Sequence, residues 1–195
     1  MSTDGTTPDT AAVRVSTDGA TPQAAATELD RRRPGDGPTG AGRVDALVAR
    51  LVARGETVAA AESLTGGLLT ATLVTVPGVS RVLRGGLVVY ATDLKHTLAG
   101  VDADLLAERG PVDPDVAVAL ARGARERCGA DWGLSTTGVA GPGPQDGVPA
   151  GTVYVGLAGP DGRTDVKKLS VPADRATVRA TSVDVALDLL WRATA

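Results

Sequence analysis

Short apolar runs alternate with stretches of helical periodicity from about Arg43 onward, and this alternation constrains the fold more than any other feature. The first helical pattern places Val44, Leu47 and Leu51 on one face, and an apolar run over residues 57–61 follows it as a buried strand. Continuous apolar runs between helices indicate a sheet that is covered on both faces. The sequence therefore predicts an α/β fold.

The rest of the chain continues this alternation. Further helices are predicted over residues 64–74, 104–108, 114–127 and 173–191. Further strands are predicted over residues 86–91, 132–137, 151–158 and 164–171. Only five residues, 159–163, separate the last two strands, which predicts a hairpin and therefore a mixed, mostly parallel sheet.

The first 41 residues have a different composition, rich in Thr, Ser, Asp, Pro, Gly and Ala, with a near-repeat at residues 2–8 and 16–22. Such a segment buries too little apolar area to offset the entropy lost on ordering. We predict a disordered tail over residues 1–41, with at most a short helix near residues 24–32. A single domain over residues 42–195 is expected to follow it.

Composition excludes several kinds of site. One cysteine, Cys128, allows neither an intramolecular disulfide nor a multi-cysteine zinc site, and one histidine, His96, cannot form a metal-binding histidine cluster. No metal and no cofactor are expected. Cys128 lies in a helical pattern, which favours packing over a nucleophilic role, and a lone histidine is more often a surface or packing residue than a catalytic base.

Charge and hydropathy limit the partners and the location. The net charge is −3 with both signs interspersed, and aromatic residues make up 2% of the chain, so neither a basic face nor a stacking surface for nucleic acid is expected. There is no apolar run long enough to cross a membrane and no apolar segment of a secretory signal near the N-terminus. We therefore expect a cytoplasmic protein with no nucleic-acid or membrane partner.

Ser63 lies in the segment Ala-Glu-Ser-Leu-Thr-Gly-Gly at residues 61–67, between a predicted strand and a predicted helix. Such a junction exposes a side chain and directs helix N–H groups at the same place, which suits a serine nucleophile. A serine there is also a common N-cap. From this segment alone the N-cap is the simpler interpretation.

Two more segments follow strand ends. In residues 89–95, Tyr90 precedes Lys95 by five positions, and alone Lys95 is more simply a solvated residue at a helix start. In residues 135–144, glycines permit close approach of a ligand and consecutive N–H groups can bind an anion, although a Gly-Pro loop is also an ordinary turn. All three segments fall where open α/β sheets place ligands.

The order of these motifs is more specific than any one of them. Ala-Glu-Ser-x-Thr-Gly-Gly at residues 61–67, the Tyr90–Lys95 spacing, Thr-Gly-Val-Ala-Gly-Pro at 137–142 and Pro-Ala-Gly-Thr-Val-Tyr at 149–154 together resemble the CinA C-terminal family. The resemblance covers about residues 43–191. It implies a three-layer α/β/α sandwich around a mixed sheet, and makes a homo-oligomer plausible.

The resemblance also implies an amidohydrolase of NAD salvage that converts nicotinamide mononucleotide to nicotinate mononucleotide and ammonia. Family members stand alone or follow a pyrophosphatase domain, and this chain resembles the stand-alone form. Ser63 is then the expected nucleophile and Lys95 its base, with Tyr90 relaying the proton or orienting the amine. A lysine base needs burial or a nearby cation to lower its pKa from about 10.4 by roughly 2 to 3 pH units.

The remaining site residues are expected to form the oxyanion hole or bind the substrate, and which glycine loop holds the phosphate is left open. They are Thr65, Gly66, Gly67, Thr137, Gly138, Ala140 and Gly141. If Ser63 is not the nucleophile, the alternatives are the hydroxyls of Thr65, Ser135 and Thr137.

The sequence departs from the family pattern at two places, both of which concern substrate affinity more than reaction type. Thr92 stands where many members have asparagine, and Gly147-Val148-Pro149 replaces a common Glu-Lys-Pro. Two other functions remain open, a nucleotide-binding regulatory module without catalysis and an amidase or esterase for another small metabolite. A carboxylate acid–base enzyme is less favoured, because Glu62 and Asp93 lie where helix starts commonly carry acids.

Overall fold

A five-stranded sheet organises residues 41–195, the part of the chain that the computed structural model describes. The strands are β1 (Val58–Glu62), β2 (Leu83–Val88), β3 (Trp132–Gly138), β4 (Thr152–Ala158) and β5 (Thr164–Ser170). The helices are α1 (Ala41–Arg54), α2 (Leu68–Val74), α3 (Thr92–Thr97), α4 (Ala103–Arg109), α5 (Pro114–Cys128) and α6 (Arg175–Ala193). The predicted tail, with its short helix, lies outside the described residues apart from Ala41.

The strand order is β2-β1-β3-β4-β5. Strand β1 pairs in parallel with β2 and β3, whereas the β3–β4 and β4–β5 pairs are antiparallel. The predicted hairpin between the last two strands and the mixed sheet are confirmed. The parallel and antiparallel pairs are equal in number, where the sequence suggested a parallel majority.

Helices cover both faces of the sheet, as strand β1 shows most simply. Val58 and Ala60 belong to an apolar cluster with residues of α1, α2 and α6. Ala59 and Ala61, which point to the other face, belong to a second cluster with α5 residues such as Leu120. The molecule is therefore the three-layer α/β/α sandwich that was expected.

Helix α5 lies unusually close to its neighbours, because glycines remove the side chains that would separate them. A Cβ atom on Gly123 would overlap the carbonyl oxygen of Ala99, and one on Gly156 of β4 would overlap the carbonyl oxygen of Ala117. Backbone-to-backbone packing of this kind lets a chain with no phenylalanine fill its interior with small aliphatic side chains.

Three predicted boundaries were wrong by three or more residues: the start of α2 and both ends of β2, which begins at Leu83 rather than at residue 86. Helix α2 begins at Leu68 rather than at residue 64, because Gly66 (φ 58°) and Gly67 (φ 95°) take left-handed conformations that interrupt a helix. Strand β2 ends at Val88, three residues before the predicted end, since the chain then turns away to begin α3. Within residues 41–195 no helix is both long and apolar enough to cross a membrane.

Candidate active site

A cavity of about 300 Å³ opens where the carboxyl ends of β1 and β3 meet the segment after β2. The three motif segments supply most of its walls, together with Pro111 and Val112 between α4 and α5 and Arg175 from the start of α6. Its lining includes Ser63, Leu64, Tyr90, Thr92, Lys95, Thr137, Gly138, Ala140, Gly141 and Arg175. Three of the predicted site residues, Thr65, Gly66 and Gly67, do not line it.

Ser63 follows the last residue of β1 and enters the cavity wall. Its N–H donates to the carbonyl of Thr136 (2.9 Å), and its own carbonyl accepts from the N–H of Gly66 (3.0 Å). The residue is 8% exposed, and its hydroxyl makes no hydrogen bond with any other described side chain or backbone group. The N-cap interpretation is wrong, because the N-cap of α2 is Gly67.

Glu62 performs the capping role instead. One carboxylate oxygen accepts from the N–H groups of Gly67 (3.0 Å) and Leu69 (2.9 Å). The other accepts from the N–H (2.8 Å) and hydroxyl (2.6 Å) of Thr70. Glu62 is fully buried, so the first amides of α2 are occupied by protein rather than offered to a ligand.

Lys95 is a buried amine on the same cavity. It lies in α3 with 1% of its surface exposed, and its Nζ donates to the carbonyls of Val89 (2.9 Å) and Tyr90 (3.3 Å). Burial lowers the pKa of Lys95 to about 8, while the charge of nearby Asp93 acts in the opposite direction. A neutral amine has two N–H bonds and one lone pair, so two carbonyl acceptors leave the lone pair free.

The other candidate hydroxyls are engaged with the protein frame. Thr65 and Thr136 share a hydrogen bond of 2.7 Å between their hydroxyls, Ser135 donates to the carbonyl of Ala117 (2.6 Å), and Thr137 donates to the carbonyl of Pro111. Ser63 is therefore distinguished from these three candidate hydroxyls by being unengaged beside the cavity.

Arg175 is a site residue that the sequence analysis missed. One terminal nitrogen of its guanidinium donates to the Tyr90 hydroxyl (2.9 Å) and the other donates to the carbonyl of Gly141 (3.2 Å). Both Arg175 and Tyr90 are exposed, with 58% of Tyr90 accessible. No local signal sets this arginine apart, since arginine is abundant throughout the chain.

Several backbone N–H groups at the cavity have no hydrogen-bond acceptor among residues 41–195, and those of Leu64, Ala140 and Gly141 lie in the two segments that follow β1 and β3. Unpaired amides that face a cavity are suited to an anionic ligand atom. The amides of Gly66 and Gly67, in contrast, donate to Ser63 and Glu62.

The protein is thus a three-layer α/β/α sandwich that carries an unengaged serine hydroxyl and a buried lysine at the carboxyl ends of its strands. The model of the CinA C-terminal domain matches residues 42–194, and the chain belongs to that family. A "CinA-like protein" of Frankia casuarinae is 52% identical over 142 residues, which are 73% of this chain and 33% of that protein. This chain spans about a third of the length of such curated relatives.

Solved structures of the same superfamily share the fold. A CinA superfamily protein from Klebsiella pneumoniae superposes with a TM-score of 0.76 at 28% identity, covering 80% of this chain and 98% of its own. One from Escherichia coli gives a TM-score of 0.72 at 33% identity, covering 76% of this chain and 87% of its own.

Proposed function

We propose that this chain hydrolyses the carboxamide of nicotinamide mononucleotide, releasing ammonia and nicotinate mononucleotide. The observation that carries the proposal is the pairing of an unengaged serine hydroxyl with a buried amine of pKa about 8 on one cavity. Nucleophile and base are the two parts that acyl transfer needs.

Ser63 and Lys95 divide the chemistry between them. With its two N–H groups bound to the carbonyls of Val89 and Tyr90, neutral Lys95 accepts the serine proton as Ser63 attacks the amide carbon. The C–N bond then breaks and the ammonium of Lys95 returns the proton to the departing ammonia. Water, deprotonated by the same amine, cleaves the acyl ester and restores Ser63.

The free amides of Leu64, Ala140 and Gly141 are the groups that we assign to the oxyanion of the tetrahedral intermediate. Removing one such donor costs other enzymes about 3–4 kcal/mol of transition-state stabilisation. This assignment excludes the predicted Gly66 and Gly67, because their N–H groups are already engaged.

Arg175 is the group that we assign to the phosphate. It is the cation at the exposed rim of the cavity, and a planar guanidinium suits bidentate recognition of phosphate. The cavity, about 300 Å³, lies at the small end of the range for small-molecule sites, which fits a mononucleotide that leaves its phosphate at the rim.

Ammonia release from nicotinamide mononucleotide tests the proposal. Ser63→Ala is expected to abolish it, whereas Ser80→Ala, an exposed serine outside the cavity, serves as the matched control and retains it. Arg175→Gln is expected to raise KM for the mononucleotide roughly 10- to 100-fold and to leave KM for the phosphate-free riboside nearly unchanged.

Three results would contradict the proposal in different ways. Turnover by Ser63→Ala at the wild-type rate would exclude the nucleophile. Tight nucleotide binding with no ammonia would favour a regulatory binding module, and ammonia or ester cleavage from another member of a substrate panel would favour an amidase or esterase for a different metabolite.

A further inference from the structure

Arg179 of α6 reaches across to the turn that follows Ser63. Its Nε donates to the carbonyl of Leu64 (3.1 Å), and a terminal nitrogen donates to the carbonyl of Thr65 (2.6 Å). The side chain is half-buried and does not line the cavity. One guanidinium thus holds two successive carbonyls in a segment that belongs to no helix or strand.

These bonds determine which way the neighbouring amides face. A trans peptide directs its C=O and the following N–H in opposite directions, so holding the Leu64 carbonyl toward α6 turns the Thr65 N–H away from α6. Arg179 also holds the Thr65 carbonyl, which directs the N–H of Gly66 the opposite way, and that N–H donates to the Ser63 carbonyl. The Ser63–Leu64 peptide held in this way orients the unpaired N–H of Leu64.

The turn needs such restraints because it ends in two glycines, which restrict the backbone less than other residues do. Gly66 and Gly67 both adopt positive φ, and glycine passes between conformations at little cost. Glu62 restrains the amide side of this junction from Gly67 onward, and Arg179 restrains its carbonyl side.

We propose that Arg179 is a positioning residue that keeps Ser63 and the Leu64 amide in the geometry for attack on a substrate. The proposal rests on the hydrolase function proposed above. A purely structural role would have Arg179 only join α6 to the turn. The positioning role requires in addition that the reactivity of Ser63 depends on this side chain while the protein remains folded.

The test compares Arg179→Gln and Arg179→Lys with a matched control, Arg163→Gln. Like Arg179, Arg163 donates to a backbone carbonyl and does not line the cavity, but its acceptor is Ala193 at the end of α6 (2.9 Å) and not the turn that follows Ser63. Two rates are measured on each full-length protein: turnover of nicotinamide mononucleotide, and covalent labelling of Ser63 by a fluorophosphonate. Thermal unfolding followed by circular dichroism reports whether each variant folds.

Arg179→Gln is expected to lower both kcat and the labelling rate roughly 10- to 100-fold with KM changed less than about threefold, because a misplacement of about 1 Å can cost such factors. Arg179→Lys, which retains one charged donor, is expected to recover part of both rates. The control is expected to match wild type. If Arg179→Gln does not fold, the same comparison is made with Arg179→Lys alone.

Unchanged kcat and labelling in folded Arg179 variants would overturn the inference, as would a rise in KM alone. Labelling that depends on Arg179 in a protein that releases no ammonia would support the inference and refute the proposed function. Turnover by the wild type, together with labelling that does not change in the Arg179 variants, would refute the inference and support the proposed function. A wild-type Ser63 that neither turns over nor is labelled would refute both.

Discussion

The pH dependence of turnover provides the sharpest test of Lys95 as the base. Burial lowers the pKa of its amine from 10.5 to about 8, which disfavours the charged form by roughly 3 kcal/mol at about 1.4 kcal/mol per pH unit. The neutral fraction is then about 10% at pH 7 and about 90% at pH 9. An amine with the ordinary pKa would be neutral in under about 0.1% of molecules at pH 7.

Two substitutions perturb this equilibrium in defined ways. Lys95→Arg retains the charge and removes the base, and is expected to lower kcat/KM by roughly 10²- to 10⁴-fold. Asp93→Asn removes the carboxylate that raises the pKa of Lys95, so the midpoint of its pH profile is expected at a lower pH than that of the wild type.

The assay is kcat/KM for ammonia release from pH 6 to 10.5. The wild-type profile is expected to rise about tenfold between pH 7 and 9 and then level off. A profile that still rises tenfold per pH unit above pH 9, a midpoint unaffected by Asp93→Asn, or full activity in Lys95→Arg would refute the reasoning.

Three further predictions concern stability, measured as the free energy of unfolding in denaturant. Glu62→Gln is expected to destabilise the protein by about 2–4 kcal/mol, because an amide nitrogen would face buried N–H and O–H donors. Gly123→Ala is expected to lower the free energy of unfolding by about 1–3 kcal/mol or more, because its Cβ would overlap Ala99. Gly42→Ala, with open space around it, is the control and should leave the free energy of unfolding unchanged or raise it. Equal effects of the two substitutions would contradict the packing argument. The pKa of Lys95 is lower in the folded protein, so the unfolded state holds more protons between about pH 8 and 10.5. The free energy of unfolding of the wild type should therefore rise relative to that of Lys95→Met over this interval, by up to about 3 kcal/mol. A difference between the two proteins that does not change with pH would refute the buried amine.

The alternation of elements could be predicted because it depends on local periodicity. The apolar runs that become β1, β3 and the β4–β5 hairpin, and the helical faces of α1, α5 and α6, were recognised with boundaries within about two residues. The convergence of the three motif segments followed from where strands end in α/β sheets.

The details of the nucleophile turn could not be predicted, because they depend on contacts between distant residues. That Glu62 rather than Ser63 caps α2 depends on the positive φ of Gly66 and Gly67, which displaces the helix start by four residues. Arg175 and Arg179 act over separations of 85 and 115 residues, and no local pattern distinguishes them from other arginines.

The close seating of α5 on the sheet has a consequence for how this molecule can change. A Cβ atom at Gly123 or Gly156 would overlap a backbone carbonyl oxygen, so the backbone there would have to shift and the region offers little freedom to vary. The loop over residues 141–150 is mostly exposed and contributes residues to the cavity wall. Substitutions that adapt the protein to a new substrate are therefore expected to be tolerated in that loop and not in α5.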